Sequence, residues 1–290
     1  MKIFPTVFLL ALLTALRASA QLTVEVTMDR DQFLPSEAVP VAVRVTNRSG
    51  QPLHLGADAN WLTFSVESAD DFIVLKNAEV PVLGEFDVGS SQVAIKRVNL
   101  APYFGLGRPG RYHVTATVKI KAWSAEVSSS GKYFDVVSGA ELWTQNFGVP
   151  VPAGATNLPP EVRRYTLIKV GYVRSQLSLY VQVSDPAASH VFKIISVGKM
   201  VSFSQPETQV DRASNLHVLW QNGAQAFTYA VVNPDGELLK QEIFDYVAAR
   251  PRLSVSDNGA VTVLGGVRRI TASEVPLLKS PDEVMSPAKP

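Results

Sequence analysis

The sequence contains no cysteine. Disulfide bonds are therefore excluded, and so are metal sites and nucleophilic catalysis that depend on a thiolate. A cysteine-free chain must also gain its stability from packed cores alone. With 290 residues, the chain is long enough for one large domain or two ordinary ones.

An excess of charge of either sign is also missing. The chain has 27 basic and 26 acidic residues, and its formal net charge is +1. Proteins that bind nucleic acid need a basic face to neutralise phosphates. We therefore predict no nucleic-acid partner. After the apolar N-terminal run, no segment is apolar for the roughly twenty residues that a membrane span needs, so no transmembrane segment is expected once the N-terminal run is removed.

The N-terminus has the three parts of a secretory signal peptide. Lys2 gives a positive start, residues 3–16 are apolar, and residues 18–20 supply the small side chains of a cleavage site. We expect residues 1–20 to be a signal peptide that is cleaved before Gln21; an uncleaved anchor is the alternative. The mature chain is then exported, periplasmic or secreted. Export without any cysteine favours a bacterial protein.

Period-two alternation dominates the rest of the chain, and helical periodicity is scarce. Apolar and polar residues alternate over 22–28, 39–45 and 112–120, which is typical of strands with one buried face. Turn residues separate these runs. The best helical candidate, 237–249, is ambiguous with a strand because it contains aromatic and β-branched residues. The sequence therefore predicts an all-β protein.

Residues 21–138 resemble a known kind of module. The segment FLPSE at 33–37, the alternating valine strand that follows it, and NRSGQPL at 47–53 resemble the opening of bacterial immunoglobulin-like modules. These are modules of the macroglobulin type or related to the BsuPI family of proteinase inhibitors. The segment 109–116, with a turning glycine and a corner tyrosine, resembles their penultimate strand. The resemblance implies an immunoglobulin-like β-sandwich over 21–138 and no particular activity.

Two stretches have the composition of connectors. Residues 139–160 are rich in glycine, proline and alanine. Prolines at this density favour an extended linker, which we predict over 139–160. Residues 274–290 are also rich in proline and lack any periodicity, so we predict a disordered tail there.

Residues 161–273 are predicted to form a second antiparallel β unit with internal repetition. Three runs are similar: 179–183, 216–220 and 261–264. The second run, LHVLW, and the NPDG turn at 233–236 resemble the hairpins of sialidase-like propeller blades. A closed propeller needs at least about four blades, for which this stretch is too short. An open meander, a small sandwich and a partial propeller remain as alternatives.

No motif identifies a catalytic, cofactor or metal site, and we expect none of these. Residues 105–110 fit G-x-G-x-x-G, but the loop is followed by a predicted strand instead of the helix that binds pyrophosphate. The four histidines have no ligand partner at metal-site spacing, and Asp58 and 70–71 lack a calcium-loop pattern. His113 and His217 are expected to face solvent or a polar crevice.

The tryptophans are the best candidates for a contact surface. We predict that Trp61, Trp143 and Trp220 contribute to a partner surface or a platform on which sugars stack; a core position is the alternative. In the run that starts at Trp61, Leu62 and Phe64 are expected inside. Trp61 would then cover an edge or meet the second domain.

These features favour a non-catalytic exported protein of the bacterial envelope or exterior. It would work by binding or scaffolding, with an unidentified protein or polysaccharide of the envelope as its partner. A glycan-acting enzyme is one alternative. Its arginine cluster would have to come from the pairs 163–164 and 268–269. Because adjacent side chains of a strand face opposite sides, only one arginine of each pair could line a pocket. A proteinase inhibitor or chaperone is the other, implied by the resemblance of the first module.

Overall fold

The computed structural model describes residues 22–70, 72–151, 161–171 and 177–270. The predicted signal peptide, the predicted tail and part of the predicted linker lie outside these ranges. The described chain is built of strands, with one short 3₁₀ helix at Lys121–Trp123. The predicted all-β class is therefore confirmed. No helix within the described ranges is both long and apolar enough to cross a membrane.

The chain divides into two compact units, Met1–Gly139 and Ala140–Pro290. The strands of the first unit are β1 (Leu22–Thr27), β2 (Gln32–Phe33), β3 (Pro40–Asn47), β4 (Leu53–Leu55), β5 (Leu62–Ser68), β6 (Phe86–Val88), β7 (Val93–Asn99), β8 (Gly110–Ile120), β9 (Ala125–Ser128) and β10 (Lys132–Val136). The strands of the second unit are β11 (Ala140–Gly148), β12 (Val162–Gly171), β13 (Leu177–Ser184), β14 (Val191–Met200), β15 (Glu207–Val210), β16 (Leu216–Gln221), β17 (Ala226–Val232), β18 (Leu238–Asp245), β19 (Arg252–Val255), β20 (Val261–Leu264) and β21 (Val267–Arg269).

Two sheets enclose the core of the first unit. One has the order β1-β3-β7, and the other has the order β2-β10-β8-β5 with β9 added to β8. All pairs in these sheets are antiparallel except β2 with β10. The predicted alternation is confirmed in β3, where Val41, Val43 and Val45 are buried and Arg44 is exposed. The buried faces of both sheets contribute to one hydrophobic cluster.

Tyr112 fixes the start of the longest strand of this unit, β8. Its hydroxyl donates a hydrogen bond to the Arg108 carbonyl, four residues upstream. Its ring stacks on Phe134 at 5.4 Å and meets Phe72 edge-on at 5.5 Å. The side chain is fully buried. The tyrosine therefore ties the turn before β8 to the core.

The second unit is a small sandwich of two up-and-down meanders. The first sheet has the order β11-β12-β13-β14, and the second has the order β15-β16-β17-β18-β21. Their inner faces share a core that includes Tyr165, Val181 and Trp220. The β19–β20 hairpin packs Leu253 and Val263 on the outer face of the second sheet. Of the three predicted alternatives, the small sandwich is the one observed.

The predicted linker is partly a strand. β11 occupies residues 140–148 and pairs with β12 from Ala140 to Gly148, except at Leu142. Most of its side chains are exposed, because it is an edge strand of its sheet. An edge strand without a regular buried face lacks the alternation by which strands are recognised in a sequence.

The helical alternative for residues 237–249 is wrong. β18 covers 238–245 and pairs with both β17 and β21. The three repeated runs become β13, β16 and β20, which lie in three different sheets.

Candidate functional site

Two of the three predicted surface tryptophans are buried. Trp61 is 2% exposed and donates its indole N–H to the Val82 carbonyl at 2.9 Å. It lies one residue before β5, so strand alternation does not govern its direction, and it is buried along with Leu62 and Phe64, which lie inside as expected. The prediction that Trp61 forms part of a partner surface is therefore wrong.

Trp220 is likewise part of a core. It is 1% exposed, and its indole N–H donates to the Lys199 carbonyl at 2.8 Å. Its strand, β16, is buried on both faces, because the first sheet covers one face and the β19–β20 hairpin packs on the other. Trp220 therefore offers no contact surface, and that part of the prediction is wrong as well.

Trp143 is only partly buried, and it lines a cleft of about 370 Å³ in the second unit. This volume lies near the lower end of the roughly 300–1,000 Å³ typical of small-molecule sites. The walls come from β11, β12 and the loop between β14 and β15: Leu142, Trp143, Leu167, Lys169, Ser202, Phe203, Ser204, Gln205 and Pro206. Trp143 is the predicted surface residue that the structure places at a candidate binding site.

A bulge in β11 brings two adjacent side chains to the cleft. Neighbouring residues of a regular strand face opposite sides of the sheet. The register between β11 and β12 shifts between Glu141 and Trp143, which leaves Leu142 without a partner on β12. Bulges of this kind re-aim side chains and are common at sheet edges and next to binding sites. Here the bulge allows both Leu142 and Trp143 to line the cleft.

The loop on the other side of the cleft is anchored to β16. The Val201 N–H donates to the Gln221 carbonyl at 3.0 Å, and the Gln221 N–H donates to the Ser204 hydroxyl oxygen at 3.4 Å. The Ser204 N–H also closes a turn on the Val201 carbonyl at 3.3 Å. These bonds hold a loop whose Phe203 side chain is 76% exposed. An exposed phenylalanine on an anchored loop is a feature of recognition surfaces.

Lys169 is the one charged residue among the described lining residues. It is half-buried, and it has no hydrogen-bond or ion-pair partner within the described part of the chain. The lining contains neither a carboxylate nor a histidine. As far as the structure describes it, the cleft therefore combines two aromatic side chains, hydroxyl and amide groups, and one positive charge without a partner. That set can bind a ligand, but it offers no nucleophile with an adjacent base.

A second cluster of polar groups lies on the outer face of β16 and β17. His217 Nδ1 is 2.7 Å from the Tyr229 hydroxyl, and its Nε2 is 3.1 Å from Asp211 Oδ2. Asn215 donates to both Asp211 oxygens, through its backbone at 2.8 Å and its side chain at 3.0 Å. His217 is buried, although the sequence predicted a solvent-facing or crevice position. Since neither face of β16 is open, alternation could not reveal this.

The cluster resembles a catalytic triad in connectivity, but its hydroxyl group belongs to a buried tyrosine. Burial, the neighbouring Glu242 and Asp211 raise the pKa of Tyr229 to about 12. A general acid or base works best when its pKa lies near the operating pH, and this phenol stays protonated at neutral pH. The Tyr229 side chain is also 5% exposed and packs against Phe244. The geometry therefore supports a structural role for the cluster.

Asp211 gives the cluster a measurable pH dependence. Burial raises its pKa, but hydrogen bonds from Asn215 and His217 outweigh burial and hold the pKa below its ordinary value. A lowered pKa in the folded state stabilises the fold above the unfolded value and loses that effect as the pH falls. We expect Asp211→Asn to be less stable than the wild type at pH 5.5, and the difference to shrink towards pH 3.

Urea unfolding followed by circular dichroism at several pH values tests this expectation. Asp185→Asn serves as the comparison. Asp185 lies outside the cluster, and its pKa is also lowered, chiefly by a hydrogen bond from the Ser189 hydroxyl. A wild type and an Asp211→Asn variant whose stabilities fall in parallel with pH would contradict the role given to Asp211.

The paired arginines do not form a common anion site. Arg163 is bound by Glu161 and Asp235, and Arg164 donates to Asn146 at 3.1 Å. In the other pair, Arg268 contacts Glu242 at 2.8 Å, while Arg269 pairs with Asp245. Each guanidinium is engaged in the fold, so the cluster that a glycan-acting enzyme would need is not assembled from these residues. Over the described ranges, no group of three or more histidines and acidic residues is placed to hold a metal ion.

Comparisons with known proteins add little to this description. No family model matches the chain. No curated protein matches it either. Among solved structures, the chain is similar to the sporulation control protein Spo0M from Bacillus subtilis. The identity is 12%, the TM-score is 0.31, and the match covers 61% of this chain and 89% of Spo0M. A match at this level carries no functional argument.

Proposed function

We propose that the chain is an exported, non-catalytic binding protein of the bacterial envelope or exterior, and that the cleft beside Trp143 is its ligand site. The observation that carries this proposal is the cleft itself. It is concave, it is lined by Trp143 and Phe203, and it contains Lys169, a cation without a partner among the described residues. Buried tryptophans elsewhere satisfy their indole N–H groups within a core, whereas Trp143 lies at an opening.

A saccharide fits this cleft better than a folded protein does. Stable protein interfaces are generally broad surfaces that bury about 1,200–2,000 Å². This site is instead a concavity, and its volume of about 370 Å³ lies within the range of small-molecule sites. Rings of sugars offer apolar faces to aromatic side chains, and their hydroxyls suit serine and glutamine partners such as Ser202 and Gln205. Of the two predicted kinds of partner, we therefore favour an envelope polysaccharide.

The first unit is proposed to be an immunoglobulin-like module that presents or spaces the second. Its two-sheet core and the parallel β2–β10 pair support this assignment. So does the bond from the Tyr112 hydroxyl to the Arg108 carbonyl, since immunoglobulin-like sandwiches use a tyrosine in the same way. Export itself rests on the signal-peptide pattern of residues 1–20.

Replacing Trp143 by alanine is expected to weaken polysaccharide binding by at least about tenfold, because aromatic anchors carry a large share of binding energy. Affinity electrophoresis of the purified chain through gels that contain single bacterial envelope polysaccharides measures the effect. Trp123→Ala is the matched control. Trp123 is also half-buried, but it lies in the first unit against that unit's core.

Two outcomes would contradict the proposal. One is a Trp143→Ala variant that folds normally and is retarded by the same polysaccharides as strongly as the wild type. The other is a wild-type chain that no envelope polysaccharide retards. Loss of binding in both tryptophan variants would point to a fold defect, which circular dichroism of each variant detects directly.

A further inference from the structure

We infer that the cleft selects an anionic saccharide, with Lys169 as the residue that recognises the negative charge. This inference rests on the proposed binding function and names its ligand class. Lys169 lies near the end of β12. Leu167 and Lys169 are two residues apart, so their side chains share one face of the strand. Leu167 is fully buried in the core of the second unit.

Lys169 therefore continues the core-facing row of β12 to the point where the core opens into the cleft. Lysine at such a boundary commonly packs its methylene stem on apolar neighbours and keeps its ammonium group in water. The structure agrees, because Lys169 is half-buried and lines the cleft together with Leu142 and Trp143. Because no residue of the described ranges pairs with it, this half-buried ammonium group is available to a ligand.

The acidic residues next to the lining residues in the sequence form no ion pair with Lys169. Glu207 follows the lining residue Pro206, but its carboxylate accepts a hydrogen bond from the Leu253 N–H at 2.7 Å. Glu141 precedes Leu142 and is exposed, and it forms no ion pair with Lys169. Several other basic residues of this unit are held by carboxylates, as Arg163 is by Glu161 and Asp235. Among the described residues, Lys169 has no such partner.

The charge of Lys169 therefore predicts a negative group in the ligand, and the aromatic side chains predict an apolar ring face. An ammonium group is a compact charge that pairs with carboxylates and phosphates. Trp143 and Phe203 favour a ligand that also has an apolar ring face. A sugar ring that bears a carboxylate, as in a uronic acid, supplies both features within a cleft of about 370 Å³.

Isothermal titration calorimetry of the full chain tests this assignment. The probes are disaccharides of galacturonic, glucuronic and mannuronic acid, together with their methyl esters, which keep the ring and remove the charge. We expect at least one acidic disaccharide to bind about tenfold or more tightly than its ester, and the preference to weaken at high salt.

The variants separate recognition of charge from general effects. Lys169→Met should lose the preference for acid over ester, and Lys169→Arg should keep most of it. Lys199→Met is the matched control. Lys199 is exposed on β14, does not line the cleft, and contributes only its carbonyl to Trp220. It should behave as the wild type, because Lys199 lies outside the cleft lining, although the variant changes the net charge by the same amount as Lys169→Met.

The two proposals fail in different ways. If acids and esters bind equally and Lys169→Met changes neither, the anionic ligand class is overturned while the cleft remains a saccharide site. If no disaccharide binds but an acetylated tripeptide with a free C-terminal carboxylate does, and Trp143→Ala abolishes that binding, the site recognises a peptide and the saccharide assignment is overturned. If neither kind of probe binds, the inference fails, and the electrophoresis experiment decides the binding function separately.

Discussion

Replacing Trp220 by alanine is expected to lower the stability of the second unit by about 3–5 kcal/mol. The side chain is 1% exposed and belongs to the core between the two meanders. Its loss creates a cavity that close-packed neighbours fill only in part. It also leaves the Lys199 carbonyl without the indole donor that it accepts from at 2.8 Å, which adds to the cost.

Urea unfolding followed by circular dichroism measures this loss without depending on tryptophan fluorescence. Trp220→Phe is the matched variant, because it keeps an aromatic ring and removes the N–H donor along with part of the volume. We expect it to be clearly less damaging than alanine. A Trp220→Ala protein within about 1 kcal/mol of the wild type would be inconsistent with a packed core at this position.

Replacing Tyr112 by alanine should have an effect of similar size on the first unit, about 3–5 kcal/mol. The ring is fully buried and stacks on Phe134 at 5.4 Å. Tyr112→Phe separates the ring from the hydroxyl. It removes only the bond to the Arg108 carbonyl, which is worth about 0.5–1.5 kcal/mol.

Thermal and urea unfolding of the two Tyr112 variants test the corner directly. Tyr112→Ala should lower the free energy of unfolding several times more than Tyr112→Phe does, because most of the stabilisation comes from the buried ring. Equal losses for the two variants would mean that the hydroxyl bond dominates, and the packing argument for this corner would not hold.

The strands with one buried face were predictable from the sequence. In β1, β3 and β8, apolar side chains alternate with polar ones, and burial follows that pattern. The physical reason is that each of these strands covers a core on one side and meets solvent on the other. The all-β class followed from the same pattern, whereas the corner position of Tyr112 came only from the resemblance of residues 109–116 to immunoglobulin-like modules.

The strands with other environments were not predictable in this way. β16 is buried on both faces, so His217 alternates with core residues and yet is not exposed. β11 has almost no buried face, so its sequence lacks a strand pattern. Trp61 stands just before β5, where the local turn sets the direction of the side chain. In each case tertiary packing decided what local periodicity could not.

The candidate site was predictable only in one residue. Trp143 was named because aromatic side chains often form contact surfaces, but nothing in the sequence separated it from Trp61 and Trp220. Lys169 belongs to no sequence motif. Its importance comes from its place at the end of a buried row and from having no partner among the described residues. Phe203 lies in a loop that hydrogen bonds to β16 hold beside the cleft.

The most direct test of the ligand site is a titration followed by the tryptophan indole ¹⁵N–¹H resonances. The chain has four tryptophans, and the indole groups of Trp61 and Trp220 are held inside cores. On addition of an acidic disaccharide that binds, the Trp143 resonance should shift in a saturable way while those of Trp61, Trp123 and Trp220 stay in place. A ligand that binds without moving the Trp143 resonance would contradict the cleft as the site.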